Sequence, residues 1–148
     1  MQTIQDVMTR DVQRISPEDS IRKAAEMMDE FNIGSIPVVD GEKLVGMITD
    51  RDITIRATAA GKAPESTRVG DVMSTEVRTC KASQSVEEVL AEMGNVQIRR
   101  VPVVDQASHS LVGIVSLGDM ATSQSKGIEQ ALEEISSPSE PDRSGKVK

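Results

Sequence analysis

Aromatic side chains are almost missing from this sequence: Phe31 stands alone, with no tryptophan and no tyrosine among 148 residues. The stacking platforms on which single-strand nucleic-acid binders depend are therefore excluded, and a planar ligand would need aliphatic walls. Positive charge is also in deficit. Seventeen Lys and Arg against 24 Asp and Glu leave a formal net charge of -7, so no global positive field draws DNA, RNA or an anionic membrane. Neither nucleic acid nor membrane is an expected partner. Cysteine occurs once, at Cys80, which rules out an intrachain disulfide and fits a reducing cytoplasm. No apolar run approaches the length of a membrane span. Residues 1–10 mix polar and charged side chains without the apolar stretch of a signal peptide, so the expected location is cytoplasmic.

What is present is a duplication, the feature to look for first. Asp6 to Asp40 aligns without gaps on Asp71 to Asp105, with DVM at the start and PVVD at the end of both. Val12/Val77, Ser20/Ser85, Met28/Met93 and Ile33/Ile98 match between them. After a loop that differs by two residues, LVGMITDRDI (Leu44 to Ile53) aligns on LVGIVSLGDM (Leu111 to Met120). The chain divides on this basis into a first motif over residues 1–62, a second over 63–125, and a tail over 126–148. In the tail, Ile128, Leu132 and Ile135 suggest a short acidic helix, and the polar end has no core-forming residues.

Each copy carries the same local signals. Ser16, Pro17 and Asp19 read as an N-cap, a first helical position and a capping-box partner, which predicts a helix starting there. Ile21, Ala24, Ala25 and Met28 form one apolar stripe at helical spacing, repeated as Val86, Val89, Leu90 and Met93. Ile36 to Val39 and Leu44 to Ile48 read as strands joined by a turn at Asp40-Gly41, with Val101 to Val104 and Leu111 to Val115 as counterparts. Thr49 or Asp50 caps a further helix running to about Ala60, with Gly61 as its left-handed terminator. The strand at Val12 to Ile15 reaches the next through a helix, so the two should run parallel. The expected fold is α/β (α+β): each copy a three-stranded sheet with two helices, the copies packed as a pseudo-two-fold pair because neither is large enough to stabilise itself.

The doubled IPVVDGEKLVGMITDRD and VPVVDQASHSLVGIVSLGD resemble CBS motifs, named after cystathionine β-synthase. The resemblance spans roughly Gln5 to Ala121. Its signature, glycine, two apolar residues, Thr or Ser, two variable residues and Asp, stands at Gly46 to Asp52 and at Gly113 to Asp119. Tandem motifs of that family form a pair with two clefts that can hold adenine nucleotides, and the pairs often dimerise. The resemblance implies one site joining Ser116 and Asp119 to Met8, Gln13, Ile33 and Gly34. It implies another joining Thr49 and Asp52 to Met73, Arg78, Ile98 and Arg99. The first half is also similar to stand-alone bacterial CBS pairs of the hypoxic-response type.

Physical chemistry bears on the signature independently. A hydroxyl and a carboxylate three residues apart point the same way from the first turn of a helix. An ionised carboxylate accepts hydrogen bonds from the adjacent hydroxyls of a ribose. The same spacing is also a capping box, and on spacing alone the cap has the stronger claim. Arg99 and Arg100 are the candidate phosphate ligands and lead to the expectation that the Ser116/Asp119 site prefers the more highly charged ligand. His109 has no second His or Cys nearby in sequence, so a metal is not expected. Asp50 and Asp52 have no nucleophile or base to accompany them. The expected function is therefore not enzymatic. It is a regulatory module binding an adenosine-containing ligand (AMP or ATP foremost, with ADP, NAD and S-adenosylmethionine also admissible), with no catalytic cofactor, a homodimeric state and an unidentified effector protein. The alternative is a dimeric interaction scaffold whose clefts bind no nucleotide.

Overall fold

The computed structural model describes residues 2–96 and 99–121. Ile98 and the residue 126–148 tail, with its suggested helix, lie outside the described residues.

The apolar stripes become helices and the β-branched runs become strands. In chain order the elements are α1 (Ile4–Val7), α2 (Ile21–Phe31), β1 (Ser35–Asp40), β2 (Lys43–Thr49), α3 (Asp50–Asp52), α4 (Val69–Val72), β3 (Cys80–Lys81), α5 (Val86–Val96), β4 (Arg100–Val104), β5 (Leu111–Ser116) and α6 (Leu117–Ala121). Strands β1 and β2 form an antiparallel pair with a bulge between Val38 and Val39. Gly41, at φ +67°, makes the turn that the Asp-Gly pair announced. The second sheet has the order β3-β4-β5, with β3 parallel to β4 as a crossover through α5 requires.

Ile15 pairs parallel with Val38, the counterpart of Cys80 against Val103, but as a single bridge. The strand expected over Val12 to Ile15 contracts to that one residue. Gln13 and Arg14 are exposed and Val12 is half-buried, so Ile15 alone of the four joins the core.

Helix α2 starts four residues later than the Ser16-Pro17 signal suggests. Ser20 is the cap, its hydroxyl accepting the Lys23 N–H at 3.2 Å, and Ser85 does the same for Glu88 at 3.1 Å. Residues 16–19 form a separate turn, closed by the Ser16 N–H donating to the Asp19 carboxylate. The turn's outward carbonyls are used elsewhere: Pro17 O accepts the Gly70 N–H and Asp19 O the Val69 N–H. Ala25, placed on the apolar stripe, is exposed, while Met27 and Met28 cover the core edge. In α5 all four stripe residues are buried.

After Asp52 the hydrogen bonding of the third helix widens to a π register over Ile53–Thr58, shown by the Ala59 N–H donating to Thr54 O. Gly61 terminates it at φ +76°, a conformation an L side chain resists.

The compact units are assembled differently from the sequence repeats. One gathers residues 2–10, 79–96, 99–105 and 112–121; the other gathers Asp11–Arg78 and Gln106–Leu111. Each repeat's leading segment therefore completes the core of the other. Ile4 packs with Cys80, Leu90, Met93, Val103 and Met120. Val69 and Val72 pack with Ile15, Ile21, Val38, Ile48 and Ala57. The short helices that carry them, α1 and α4, had no expectation from periodicity, since one helical turn is too short to show any.

Candidate functional site

The Gly46 to Asp52 signature lies where β2 ends and α3 begins. A Cβ on Gly46 would meet Ser74 O at 2.7 Å and the Met73 sulfur at 2.9 Å. The glycine is required because the backbone of Ser74 bonds both ways with Met47, at 2.8 and 2.9 Å. Gly113 repeats the arrangement, a Cβ there meeting the Met8 sulfur and Thr9 O at 2.8 Å each. Thr9 bonds both ways with Ile114. The close approach at these glycines is made by the protein's own chain, with Met73 and Met8 laid against them.

Thr49 and Asp52 form a complete capping box. The Thr49 N–H donates to Asp52 Oδ2 and the Asp52 N–H to Thr49 Oγ1, both at 3.0 Å. The Ser74 hydroxyl also donates to the carboxylate, 3.2 Å from Oδ1 and 3.3 Å from Oδ2. Arg56 completes the environment, Nε lying 3.8 Å from Asp52 Oδ1 and Nη1 donating to Met73 O at 3.1 Å. Asp52 is only 8% exposed, and two hydrogen-bond donors with the nearby guanidinium make that burial tolerable. The cap and the polar cluster are one object, so the structural reading of the Thr-x-x-Asp spacing holds whatever else these atoms do.

The second signature repeats the box: the Ser116 N–H donates to Asp119 Oδ2 at 2.9 Å and the Asp119 N–H to Ser116 Oγ at 3.0 Å. The base of each helix is fixed in the same way. Asp50 N–H donates to Gly34 O at 2.9 Å, and Leu117 N–H to Arg99 O at 3.0 Å. Gly34 also lies under Asp50, whose carboxylate oxygen would be 3.2 Å from an added Cβ.

The structure therefore gathers Thr49, Asp52, Gly34 and Met73 in one compact unit, and Ser116, Asp119, Met8 and Arg99 in the other. Within a unit, Gly34 belongs with Thr49/Asp52 and Arg99 with Ser116/Asp119. Gln13, Ile33 and Arg78 lie in the first of these units, Gln13 and Arg78 exposed and Ile33 half-buried. Arg100 opens β4 in the second, exposed like Arg99. Ser74 and Arg56 went unnoticed in sequence. Arg56 is four residues beyond Asp52 on an expected helix, a spacing at which opposite charges meet, and hydroxyls at both Thr9 and Ser74 follow the repeated DVM. Those signals were legible.

Cys80 is buried in the position matching Ile15, as its place in the repeat implied. Burial, reinforced by the Glu92 charge, pushes its thiol up to about 12. Asp6 is held below the usual carboxylate range, chiefly by the backbone N–H of Thr3. Among the described residues no three His, Cys, Asp or Glu side chains converge as a metal site. Among them, too, no helix is long and apolar enough to cross a membrane.

Comparison with known proteins adds a family. The family model described as CBS domain matches residues 4–57 and 69–126. The CBS domain-containing protein YhcV of Bacillus subtilis is 46% identical over 124 residues, covering 84% of this chain and 86% of the relative. Hypoxic response protein 1 of Mycobacterium tuberculosis is 38% identical over 82% of this chain and 84% of its own. A crystal structure of Hypoxic Response Protein I with two coordinated zinc ions matches with a TM-score of 0.74 at 37% identity, covering 83% of this chain and 99% of the other. The CBS domain pair of protein MJ0100, in complex with 5′-methylthioadenosine and S-adenosyl-L-methionine, matches with a TM-score of 0.71 at 30% identity, over 84% of this chain and 96% of the other.

Proposed function

Because the chain belongs to the CBS domain family, with motifs at residues 4–57 and 69–126, we propose that it is a regulatory module. It binds an adenosine-containing ligand and passes that occupancy to a partner protein, without catalysing a reaction. Thr49 with Asp52, and Ser116 with Asp119, are the ribose clamps. Met8, Met73, Ile33 and Ile98 supply aliphatic walls for the base, as a chain without tryptophan or tyrosine requires. Gln13, Gly34, Arg78, Arg99 and Arg100 are the remaining proposed contacts. The module works in the cytoplasm as a homodimer, and its effector is a second protein whose affinity differs between the empty and occupied states.

One observation carries this reading: the hydroxyl–carboxylate box occurs twice, each time three residues after a glycine against which a methionine thioether packs. A cap needs neither of the latter. Related CBS pairs hold adenosine compounds, as in MJ0100, which makes the ligand class chemically consistent with the clamp. A second reading, a dimeric scaffold that binds no nucleotide, is favoured by a different fact. Asp52 already accepts from Thr49 and Ser74 and is ion-paired with Arg56, so part of its capacity is satisfied without a ligand.

Thermal shift and calorimetry against AMP, ADP, ATP, NAD and S-adenosylmethionine decide between them. A ligand at one hundred times its Kd should add about 2.7 kcal/mol to stability. A flat response to the whole panel rejects the nucleotide reading and leaves the scaffold.

A further inference from the structure

The two signatures are alike in backbone and unlike in charge. Asp52 has Arg56 four residues on; the position matching Arg56 after Asp119 is Ser123. We propose that Arg56 is the residue that recognises an anionic group on the ligand held at Thr49 and Asp52, making this centre selective for phosphorylated over neutral adenosine compounds. The inference rests on the reading of Thr49 and Asp52 as a ribose clamp and adds what that clamp alone does not provide, a preference among adenosine ligands.

Three features of the geometry carry it. The guanidinium is held in place at two points, Nε beside Asp52 Oδ1 at 3.8 Å and Nη1 on Met73 O at 3.1 Å. Its side chain is nevertheless 54% exposed. A guanidinium has five N–H groups in a rigid fork, and two anchors leave donors facing solvent next to the carboxylate that would hold the ribose. The second feature is electrostatic. A phosphate brought close to a carboxylate that is 8% exposed meets like charge in a region water screens poorly, and a chain of net charge -7 does nothing to relieve it. Arg56 is the cation positioned to offset both. The third is the π register. Widening the helix over Ile53–Thr58 changes the angle at which residue 56 leaves the axis, and Arg56 lies in the middle of that stretch. Arg99 and Arg100, the cations singled out in sequence, are exposed; Arg56, exposed as well, is ion-paired with the clamp carboxylate of Asp52 at 3.8 Å.

The test is a ratio. Calorimetry on the full chain carrying Asp119→Asn compares AMP with adenosine, so that binding reports the Thr49/Asp52 centre. With Arg56 present, AMP should bind more tightly. Arg56→Gln should cut AMP affinity about tenfold, the effect of one charge-assisted hydrogen bond, and change adenosine affinity less than about twofold, within the spread of an exposed ion pair. Arg56→Lys should recover part of the AMP preference, because it keeps the charge and loses the fork. Should Asp119→Asn impair folding, the same ratio can be read without it from chemical-shift titration of the Gly46 and Asp52 amides. Equal losses for both ligands would mean that Arg56 only staples the helix to Met73, which overturns the inference and spares the ribose clamp. If neither ligand binds the parent protein, the clamp reading and the inference fall together.

Discussion

Cys80 stands where the first copy of the repeat has Ile15, two heavy atoms smaller but equally in the core, and its thiol behaves accordingly. It is 2% exposed, packed with Val86, Leu90 and Val103, and burial followed by the Glu92 charge raises its pKa from 9.0 to about 12. Below pH 9 the folded and unfolded chains both keep the proton, and the contribution to stability is intact. As pH rises from 9 towards 12 the unfolded thiol ionises and the folded one does not, so stability falls by about 1.4 kcal/mol per pH unit. Cys80→Val removes that slope. Urea denaturation of both proteins at about pH 8 and about pH 10.5 should therefore show the gap between them shifting by roughly 2 kcal/mol in favour of the valine variant. A gap that does not move with pH contradicts the buried assignment. A thiol reagent at neutral pH should likewise label Cys80 only on unfolding. At this scale the sequence was informative where a residue's partner lay nearby: Thr49 and Asp52 were found through a three-residue spacing. Ser74 was missed although a hydroxyl follows the repeated DVM in both copies, because its contact with Asp52 spans 22 positions and no local spacing pairs the two.

Elements were legible in kind and less so in their limits. The stripe from Ile21 identified α2, and the Asp40-Gly41 pair identified the hairpin, because both depend on side chains a few residues apart. The start of α2 was misplaced because two serines, Ser16 and Ser20, each precede a plausible first turn. Tertiary contacts choose between them: the N–H groups of Val69 and Gly70 claim the carbonyls of Asp19 and Pro17, which fixes 16–19 as a turn and leaves Ser20 to cap. Ser20→Ala should then cost about 1 kcal/mol. Ser16→Ala should cost less, since its hydroxyl accepts only the Glu18 N–H, at 3.2 Å on an exposed turn. Equal costs by thermal denaturation would contradict the assignment of the cap to Ser20 alone. The π stretch had no sequence warning, for a register of five and a register of four draw on the same helix-forming residues.

At the scale of the whole chain, the duplication gave the family and the number of motifs, but not which segments share a core. A repeat aligns each segment with its copy; it does not say with which copy the segment packs. Ile4 stands at the start of the first motif and is fully buried among residues of the second, with its N–H donating to Gln84 O at 2.9 Å and the Val86 N–H donating to Gln2 O at 3.1 Å. Val69, its counterpart, is buried among residues of the first, and Ile21 N–H donates to Thr67 O at 2.9 Å. Neither motif cut at its repeat boundary keeps all of its core, so the leading segment of each motif belongs to the core of the other. Ile4→Ala should accordingly destabilise by about 2–5 kcal/mol, the range for truncating a buried isoleucine. Native-state hydrogen exchange should report it as lost protection in β4 and β5, at Val103, Val104 and Val115, more than 90 residues away in sequence. A loss confined to residues 2–9 would mean that the leader frays independently and that the second motif is complete without it.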